Sequence, residues 1–177
     1  MMFDDLRVTG CYRIRTEPQI DERGWFARTY CSKEYGNHDI DFRIVQSSVS
    51  HNIAKGTLRG MHYQRSPSRE CKLVRCGRGA VYDVIIDLRR DSRTYLIWDA
   101  VELTEENGQM VYIPAGCAHG YLTLKDDTQV VYQMNEAYSS TLSEGVRWND
   151  PAFAIHWPEV ETLIISDRDR SFPDYRE

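Results

Sequence analysis

Apolar and polar residues form short alternating runs through the middle of the chain, from about residue 45 to residue 135. These runs are rich in Val, Ile, Tyr and Thr and are separated by turn residues, which is typical of β-strands. Two runs, 80–88 and 94–103, flank the polar stretch 89–93 and predict a hairpin-like pair. The segments 120–124 and 129–134 form a second pair around a tight connection at 125–128.

Helical periodicity is poor in this region, and only two short pieces are predicted as helical. One lies near residues 32–35, and the other is a turn at 104–107, where Thr precedes two Glu. Residues 1–45 mix strand-like pieces, and the tail after Trp157 is polar. We expect both ends to pack as extensions of the core or to exchange with a partner subunit. The pattern favours an all-β, antiparallel double-sheet barrel, a sandwich or jelly roll that encloses a small-ligand cavity.

Length and charge narrow the class of protein. A chain of 177 residues is long enough for one core, and without an internal linker or repeat we expect a single domain over 1–177. The net charge of −5 argues against a general nucleic-acid binder. The N-terminus lacks the apolar core of a signal peptide, and no apolar run approaches the roughly 18 residues of a membrane span. Five cysteines without a CxxC pair suggest no disulfide framework or zinc knuckle, so a cytoplasmic location is expected.

The segment GTLRGMHYQ, residues 56–64, places a histidine on a predicted strand. On a regular strand His62 shares a face with Gly60 and Gln64, whereas Arg59 points the other way. A bulge at Gly60 would bring Arg59 to the side of His62. On local grounds alone, a half-buried and hydrogen-bonded structural histidine is the usual interpretation.

A metal site is the second interpretation of this segment. IPAGCAHGY, residues 113–121, has the Pro-x-Gly-x-x-His form of the second metal motif of cupins and contains His119. The first cupin motif requires His-x-His, but Gln64 occupies the position of its second histidine. Two histidines are too few for a tight transition-metal site, so we predict none.

Five residues could carry acid–base chemistry. A carboxylate such as Asp169 would fix the tautomer of His62 and raise its basicity, giving a general base. A tyrosine opposite, Tyr132 or Tyr138, could return a proton, and Lys72 could stabilise an oxyanion. Spacing alone does not bring these residues together, and each also fits an ordinary surface or core role.

Ordered motifs over nearly the whole chain resemble the dTDP-4-dehydrorhamnose 3,5-epimerase family. They are DERGWF, GTLRGMHYQ, KLVRCGRGAVYDVIIDLR, YIPAGCAHGYL, YQMNEAYS, GVRWNDPA and ISDRD. The resemblance implies a cupin-type jelly roll and a homodimer with an exchanged N-terminal segment. It also implies an enzyme that needs no metal or organic cofactor and acts on a nucleotide-linked 4-keto-6-deoxyhexose.

The resemblance also implies a role for each matching position. His62 resembles the general base and Asp169 its partner, Tyr132 the general acid on the opposite face, and Lys72 the group that stabilises the enolate. The matching substrate-binding positions are Arg59 and His119 for the diphosphate or sugar, Arg23 and Phe26 for the nucleotide from the partner subunit, Tyr138 beside the active-site tyrosine, and Gln46 in the pocket. A ketone at C4 acidifies the hydrogens at both C3 and C5, so one such set can invert both centres without a cofactor.

Two departures from the family pattern concern the nucleotide side. Arg28 stands where the family commonly has Glu, and Gln46-Ser47-Ser48 replaces the usual Gln-Asp-Asn. Nucleotide specificity, with CDP, GDP or UDP sugars as alternatives to dTDP, therefore stays open at this point, as does inversion at only C3 or C5. A metal-dependent cupin enzyme and a binding protein without turnover are the more remote alternatives.

Overall fold

The computed structural model describes residues 1–176, which form fourteen strands and two short helices. The elements are β1 Met2–Asp5, β2 Tyr12–Arg15, β3 Gln19–Asp21, β4 Gly24–Phe26, α1 Ser32–Gly36, β5 Gln46–Asn52, β6 Thr57–Gln64, β7 Lys72–Arg78, β8 Ala80–Asp87, β9 Trp98–Thr104, β10 Met110–Ile113, β11 Cys117–Thr123, β12 Thr128–Met134, β13 Ser143–Gly145, β14 Ile164–Ile165 and α2 Asp167–Arg170. No helix within residues 1–176 is long and apolar enough to span a membrane.

Two large sheets make up the body of the molecule. The first sheet has the strand order β1-β2-β10-β7-β12-β5. The second has the order β13-β6-β11-β8-β9, and β14 pairs in parallel with the first residues of β6. Strands β3 and β4 form a separate two-stranded hairpin. The predicted all-β, antiparallel double-sheet architecture with short peripheral helices is confirmed.

The main core lies between the two large sheets. Inward-facing residues of the first sheet, such as Val74 and Val130, pack with Val81, Ile85 and Leu103 of the second. Complete burial of side chains of this size stabilises the fold by about 1.5–3 kcal/mol each relative to exposure. The alternation in the sequence therefore reflects strands with one face directed into this core.

Each sheet is also covered over part of its outer face. The N-terminal region and α1 add an aromatic layer that includes Tyr35 and Phe42. The C-terminal region packs Phe153 and Trp157 against the outer side of the second sheet. Because both of its faces are covered, β11 is buried along its whole length. The tail is thus an extension of the core, as expected.

The first predicted hairpin is confirmed, but its second strand begins later than predicted. β8 pairs with β9 in antiparallel register, and β9 starts at Trp98 rather than at residue 94. Asp87 is the reason, because its carboxylate accepts hydrogen bonds from Ser92 and Thr94 at 2.6 and 2.7 Å. These bonds hold residues 92–94 in the loop instead of in the strand.

The second predicted pair consists of real strands that do not pair with each other. β11 belongs to the second sheet and β12 to the first, so the tight connection between them carries the chain across the core. Thr128 closes this connection by donating to the Lys125 carbonyl at 2.9 Å. The segment 104–107 is a hydrogen-bonded turn rather than a helix, since Thr104 and Asn107 exchange side-chain to backbone bonds. The predicted helix near residues 32–35 is confirmed as α1.

Candidate active site

A cavity of about 270 Å³ opens at one end of the space between the sheets. It is lined by side chains of β5, β6, β7 and β12 and of the C-terminal region. The lining residues are Gln46, Ser48, His62, Tyr63, Gln64, Glu70, Lys72, Tyr132, Met134, Tyr138, Ser143 and Arg168. Five of the ten predicted site residues are therefore brought together, and a sixth, Asp169, lies directly behind His62.

His62 and Asp169 form a hydrogen-bonded pair although 107 positions separate them. The parallel pairing of β14 with β6 brings the start of α2 against the strand that carries His62. Ser166 caps α2 by accepting from the Asp169 amide at 3.1 Å. His62 Nε2 then lies 2.7 Å from Asp169 Oδ1, and the Gly60 amide donates to Oδ2 at 3.1 Å. An ionised Asp169 requires the hydrogen on Nε2, which leaves the lone pair of His62 on Nδ1.

The environment keeps Asp169 ionised. Burial acts to raise the pKa of this carboxyl, but the hydrogen bond and electrostatic effect of His62 and the hydrogen bond from the Gly60 amide outweigh burial. The pKa of Asp169 is consequently held below its ordinary value. A fixed carboxylate of this kind orients the imidazole and stabilises the imidazolium that forms when the histidine takes a proton.

This pKa shift predicts how stability depends on pH. A carboxyl whose folded pKa lies below its unfolded value stabilises the fold above the unfolded pKa, about 3.9, and loses that contribution as pH falls through the folded value. Asp169→Asn should therefore destabilise the protein by about 1–3 kcal/mol at pH 7, and the difference should shrink between about pH 5 and pH 2. Urea unfolding of the wild-type protein and the variant across this pH range measures the difference in their free energies of unfolding. The exposed Asp167→Asn, on the same helix, is the matched control, and a difference independent of pH would contradict the assignment.

Lys72 lies beside the pair at the start of β7. Its Nζ donates to the His62 carbonyl at 3.4 Å and pairs with Glu70 at 3.3 Å, and both of these charged side chains are largely buried. Gln64 donates to the other oxygen of Glu70 at 2.9 Å. Because an ammonium has three hydrogens, Lys72 keeps one donor for a ligand in the cavity. Gln64, which takes the place of a cupin histidine, thus supports the counterion of Lys72.

Tyr132 extends from β12 into the same cavity. Burial, with a smaller effect of Tyr121, raises the pKa of this phenol well above its ordinary value, and the hydrogen bond with Ser50 only partly offsets the change. Tyr132 is therefore neutral across the physiological range and can donate a proton.

Gln46 and Tyr138 meet at the mouth of the cavity. Gln46 Oε1 accepts from the Tyr138 amide at 2.9 Å, and the Tyr138 side chain is exposed. Hydrogen bonds with Ser143 and Arg168 lower the pKa of Tyr138. The two predicted positions are thus adjacent, and Tyr138 borders the cavity without filling it.

A β-bulge in β6 brings Arg59 to the side of His62, as predicted. His119 is opposite His62 and Tyr121 is opposite Arg59, so β6 has one residue more than β11 in this interval. Gly60 has a φ of +135°, and a Cβ there would lie 2.5 Å from the Gly120 Cα. Only glycine fits this position.

Arg59 and His119 do not line the main cavity. The Arg59 Nε donates to Asn52 Oδ1 at 2.8 Å, while the residue is otherwise exposed. His119 is buried, and its Nε2 lies 2.8 Å from Asp83 Oδ2. Both histidines of the motifs therefore have one ring nitrogen held by a carboxylate. In the part of the chain that the structure describes, no group of three or more His, Cys, Asp or Glu is placed to hold a metal ion.

Arg23 and Phe26 lie away from the other predicted residues. They belong to the β3–β4 hairpin and border a separate, open cavity. Arg23 pairs with Asp21 at 2.5 Å, and the Phe26 side chain is 74% exposed. Within one chain, the structure does not bring these two positions to the main cavity.

Several polar residues around the site were not predicted. Glu70 is the partner of Lys72, Asp83 is the partner of His119, and Ser50 and Asn52 contact the inward-facing tyrosines. A signal exists for the last two, because polar residues occupy every second position of β5 and therefore share one face. Burial of polar groups on a core-facing side of a strand indicates hydrogen-bond partners inside the barrel.

Comparisons with known proteins agree with this geometry. The family model described as dTDP-4-dehydrorhamnose 3,5-epimerase matches residues 5–177. The dTDP-4-dehydrorhamnose 3,5-epimerase of Sinorhizobium fredii is 40% identical over 173 residues, which cover 98% of this chain and 89% of that protein.

Solved structures give the same result. The crystal structure of the Bacillus anthracis dTDP-4-dehydrorhamnose 3,5-epimerase, with TDP and PPi bound, has a TM-score of 0.94 at 37% identity and covers 98% of this chain and 99% of that one. The Legionella pneumophila enzyme in complex with dTDP-4-keto-L-rhamnose has a TM-score of 0.90 at 31% identity and covers 99% of each chain. The chain therefore belongs to the dTDP-4-dehydrorhamnose 3,5-epimerase family.

Proposed function

We propose that this protein is an isomerase that inverts C3 and C5 of dTDP-4-dehydro-6-deoxy-D-glucose and forms dTDP-4-dehydro-L-rhamnose. The observation that carries the proposal is the His62–Asp169 pair, which lies in one cavity with Lys72 and Tyr132. A base, an oxyanion-stabilising cation and a neutral acid are the groups that proton exchange next to a ketone requires. We propose that residues 1–177 act as one epimerase domain.

Proton removal is assigned to His62. Its Nδ1 lone pair takes the hydrogen from the carbon next to the C4 ketone, and the electron pair of the broken C–H bond moves into the enolate. Asp169 accepts the Nε2 hydrogen throughout and neutralises the imidazolium. Lys72 donates its remaining hydrogen to the enolate oxygen, which bears the developing charge.

Inversion requires a second proton donor on the opposite face of the ring. Tyr132 is assigned this role because it is neutral and lines the same cavity. Protonation by Tyr132 on the face opposite to His62 changes the configuration, whereas return of the proton from His62 restores it. The C4 ketone activates C3 and C5 alike, so the same groups serve both centres in turn.

Substrate binding is assigned to the remaining predicted residues. Arg59 suits the diphosphate because a guanidinium binds phosphate oxygens bidentately. Gln46 and Tyr138 at the mouth of the cavity and His119 beside Tyr132 would contact the sugar or diphosphate. We propose that the β3–β4 hairpin supplies Arg23 and Phe26 to a partner subunit in a homodimer with an exchanged N-terminal segment. Support comes from the hairpin's exposed apolar side chains, since Ile20 and Trp25 are 78% and 65% exposed.

The preferred nucleotide is proposed to be dTDP. Arg28, which departs from the family pattern, pairs with Glu34 at 2.9 Å, and Glu34 also binds the N-terminal amine. The positive charge of Arg28 is thus neutralised by a carboxylate of the same chain. Ser48 lines the cavity near Gln46. A cytoplasmic location is proposed as well, in keeping with five cysteines that are all free thiols.

Incubation with dTDP-4-keto-6-deoxyglucose in deuterated water tests the proposal. Deuterium should enter both C3 and C5, and NMR should show inversion at both centres. The CDP, GDP and UDP sugars, run in parallel, measure nucleotide preference. Deuterium at only one carbon would reassign the protein as a single-centre epimerase, and no exchange with any of these sugars would refute epimerase activity.

A further inference from the structure

A chain of hydrogen bonds lies behind Tyr132 on the side away from the cavity. Ser50, on the inner face of β5, has its Oγ 3.3 Å from the Tyr132 hydroxyl and 2.7 Å from the Tyr121 hydroxyl. The Tyr121 hydroxyl lies 3.2 Å from Asn52 Oδ1. The Arg59 Nε reaches the same Asn52 oxygen at 2.8 Å.

The direction of these bonds can be deduced from their fixed ends. Asn52 Nδ2 donates to the Thr128 carbonyl at 3.1 Å, so the amide oxygen faces Tyr121. That oxygen only accepts, and therefore the Tyr121 hydroxyl donates to it. With its hydrogen committed, Tyr121 accepts from Ser50, and Ser50 in turn accepts from Tyr132.

Ser50 therefore lies between two phenols but has only one hydrogen to donate. Before protonation of the substrate, that hydrogen points to Tyr121, and the Ser50 oxygen holds the Tyr132 hydroxyl. When substrate is bound, the single hydroxyl hydrogen of Tyr132 turns from Ser50 to the substrate carbon and is transferred, which leaves a phenolate oxygen that is the stronger acceptor. A rotation about the Ser50 hydroxyl bond then redirects the hydrogen to Tyr132 without moving any heavy atom.

We propose that Ser50, whose hydrogen can point to Tyr121 or to Tyr132, accepts from the Tyr132 hydroxyl and positions it before proton transfer, and donates to the Tyr132 phenolate and stabilises it afterwards. The inference rests on the proposed function, since it assigns a residue that acts through the proposed general acid. Ser50 is a positioning residue, because its contacts are with Tyr132 and Tyr121.

The protons balance without a further reactant. The O–H bond of Tyr132 breaks as the new C–H bond forms at the substrate carbon, and the electron pair stays on the tyrosine oxygen. The proton taken by His62 passes to water, and Tyr132 regains one from water that enters the open cavity. Ser50 changes only the direction in which its hydrogen points.

The electrostatics of Tyr132 support this role. Burial raises the pKa of this phenol, and the hydrogen bond with Ser50 acts in the opposite direction by favouring the phenolate. Loss of the Ser50 hydroxyl would leave burial unopposed and make Tyr132 a weaker acid.

Ser50→Ala tests the inference through two rates measured on the same sample in deuterated water, deuterium exchange and stereochemical inversion. Exchange depends on His62, whereas inversion also needs Tyr132. Loss of one hydrogen bond to a charged group should slow inversion about 10- to 100-fold while exchange changes by less than about threefold. Ser50→Cys, which fills the same space with a weak donor, should shift the ratio in the same direction and carries the test if the alanine variant does not fold.

Two further variants separate this role from a structural one. Ser50→Thr retains the hydroxyl and should restore the ratio of inversion to exchange. Tyr121→Phe removes the alternative acceptor but leaves Ser50 able to donate to Tyr132, so the ratio should stay within about threefold of wild type. An unchanged ratio in Ser50→Ala, or equal losses of both rates, would overturn the inference. Absence of exchange in the wild-type protein would instead refute the proposed function.

Discussion

Replacement of His62 by alanine is expected to slow deuterium exchange at C3 and C5 by at least about 10³-fold while the chain stays folded. The expected loss is within the range that general bases contribute, since the substitution removes the imidazole that Asp169 orients. His62 is partly exposed at the cavity wall, with 37% of its side chain accessible, so its truncation leaves no large void in the core. Mass spectrometry of the sugar nucleotide measures exchange, and thermal unfolding checks the fold.

The chain offers a matched control for this substitution. His51 lies on the outer face of β5, is exposed, and makes only a 3.7 Å contact with Asp127 among the ion pairs of the described residues. His51→Ala should exchange deuterium at the wild-type rate. A His62→Ala protein with exchange near the wild-type rate would show that another group is the base. Loss of exchange in both variants would point to damage to the fold rather than to loss of a base.

The strands were predictable because they follow from local chemistry. Alternation of apolar and polar residues fixes which side of a strand faces the core, and this holds wherever one face is covered. The connection at 125–128 shows the limit of such reasoning. A tight turn has the same residue types whether it joins partners in one sheet or carries the chain between two sheets, so the sequence could not distinguish a hairpin from a crossing.

The site likewise combines features that the local sequence predicts with contacts that depend on tertiary packing. The bulge at Gly60 was predictable because a glycine inside a strand often marks a bulge, and this bulge does bring Arg59 to the side of His62. The contact of His62 with Asp169 depends on the pairing of β14 with β6, which no local signal encodes. Acid–base chemistry suggested the two residues as partners, but only the family resemblance implied that they meet. Glu70 was not predicted as a site residue, although it is the partner of Lys72. Counterions of this kind follow from tertiary packing.

Tyr132→Phe is expected to separate two events that the wild-type protein couples. The variant keeps His62, Asp169 and Lys72, so protons should still leave C3 and C5, exchange with solvent on His62 and return to the same face. Delivery from the opposite face requires the hydroxyl, and its loss should slow inversion by about 10²- to 10⁴-fold. Deuterium would therefore accumulate in a sugar that retains its original configuration, which NMR coupling constants and mass spectrometry together can establish.

Tyr82→Phe is the control for loss of a phenolic hydroxyl, because Tyr82 packs against Trp157 on the outer side of the second sheet. It should leave both exchange and inversion at wild-type rates. Inversion at the wild-type rate in Tyr132→Phe would mean that another donor, or water, reaches the second face of the ring. Equal loss of exchange and inversion would mean that Tyr132 acts before the enolate forms, as a group that binds the substrate. Only the separation of the two rates identifies Tyr132 as the acid, because only that outcome requires a base and an acid on opposite faces of one enolate.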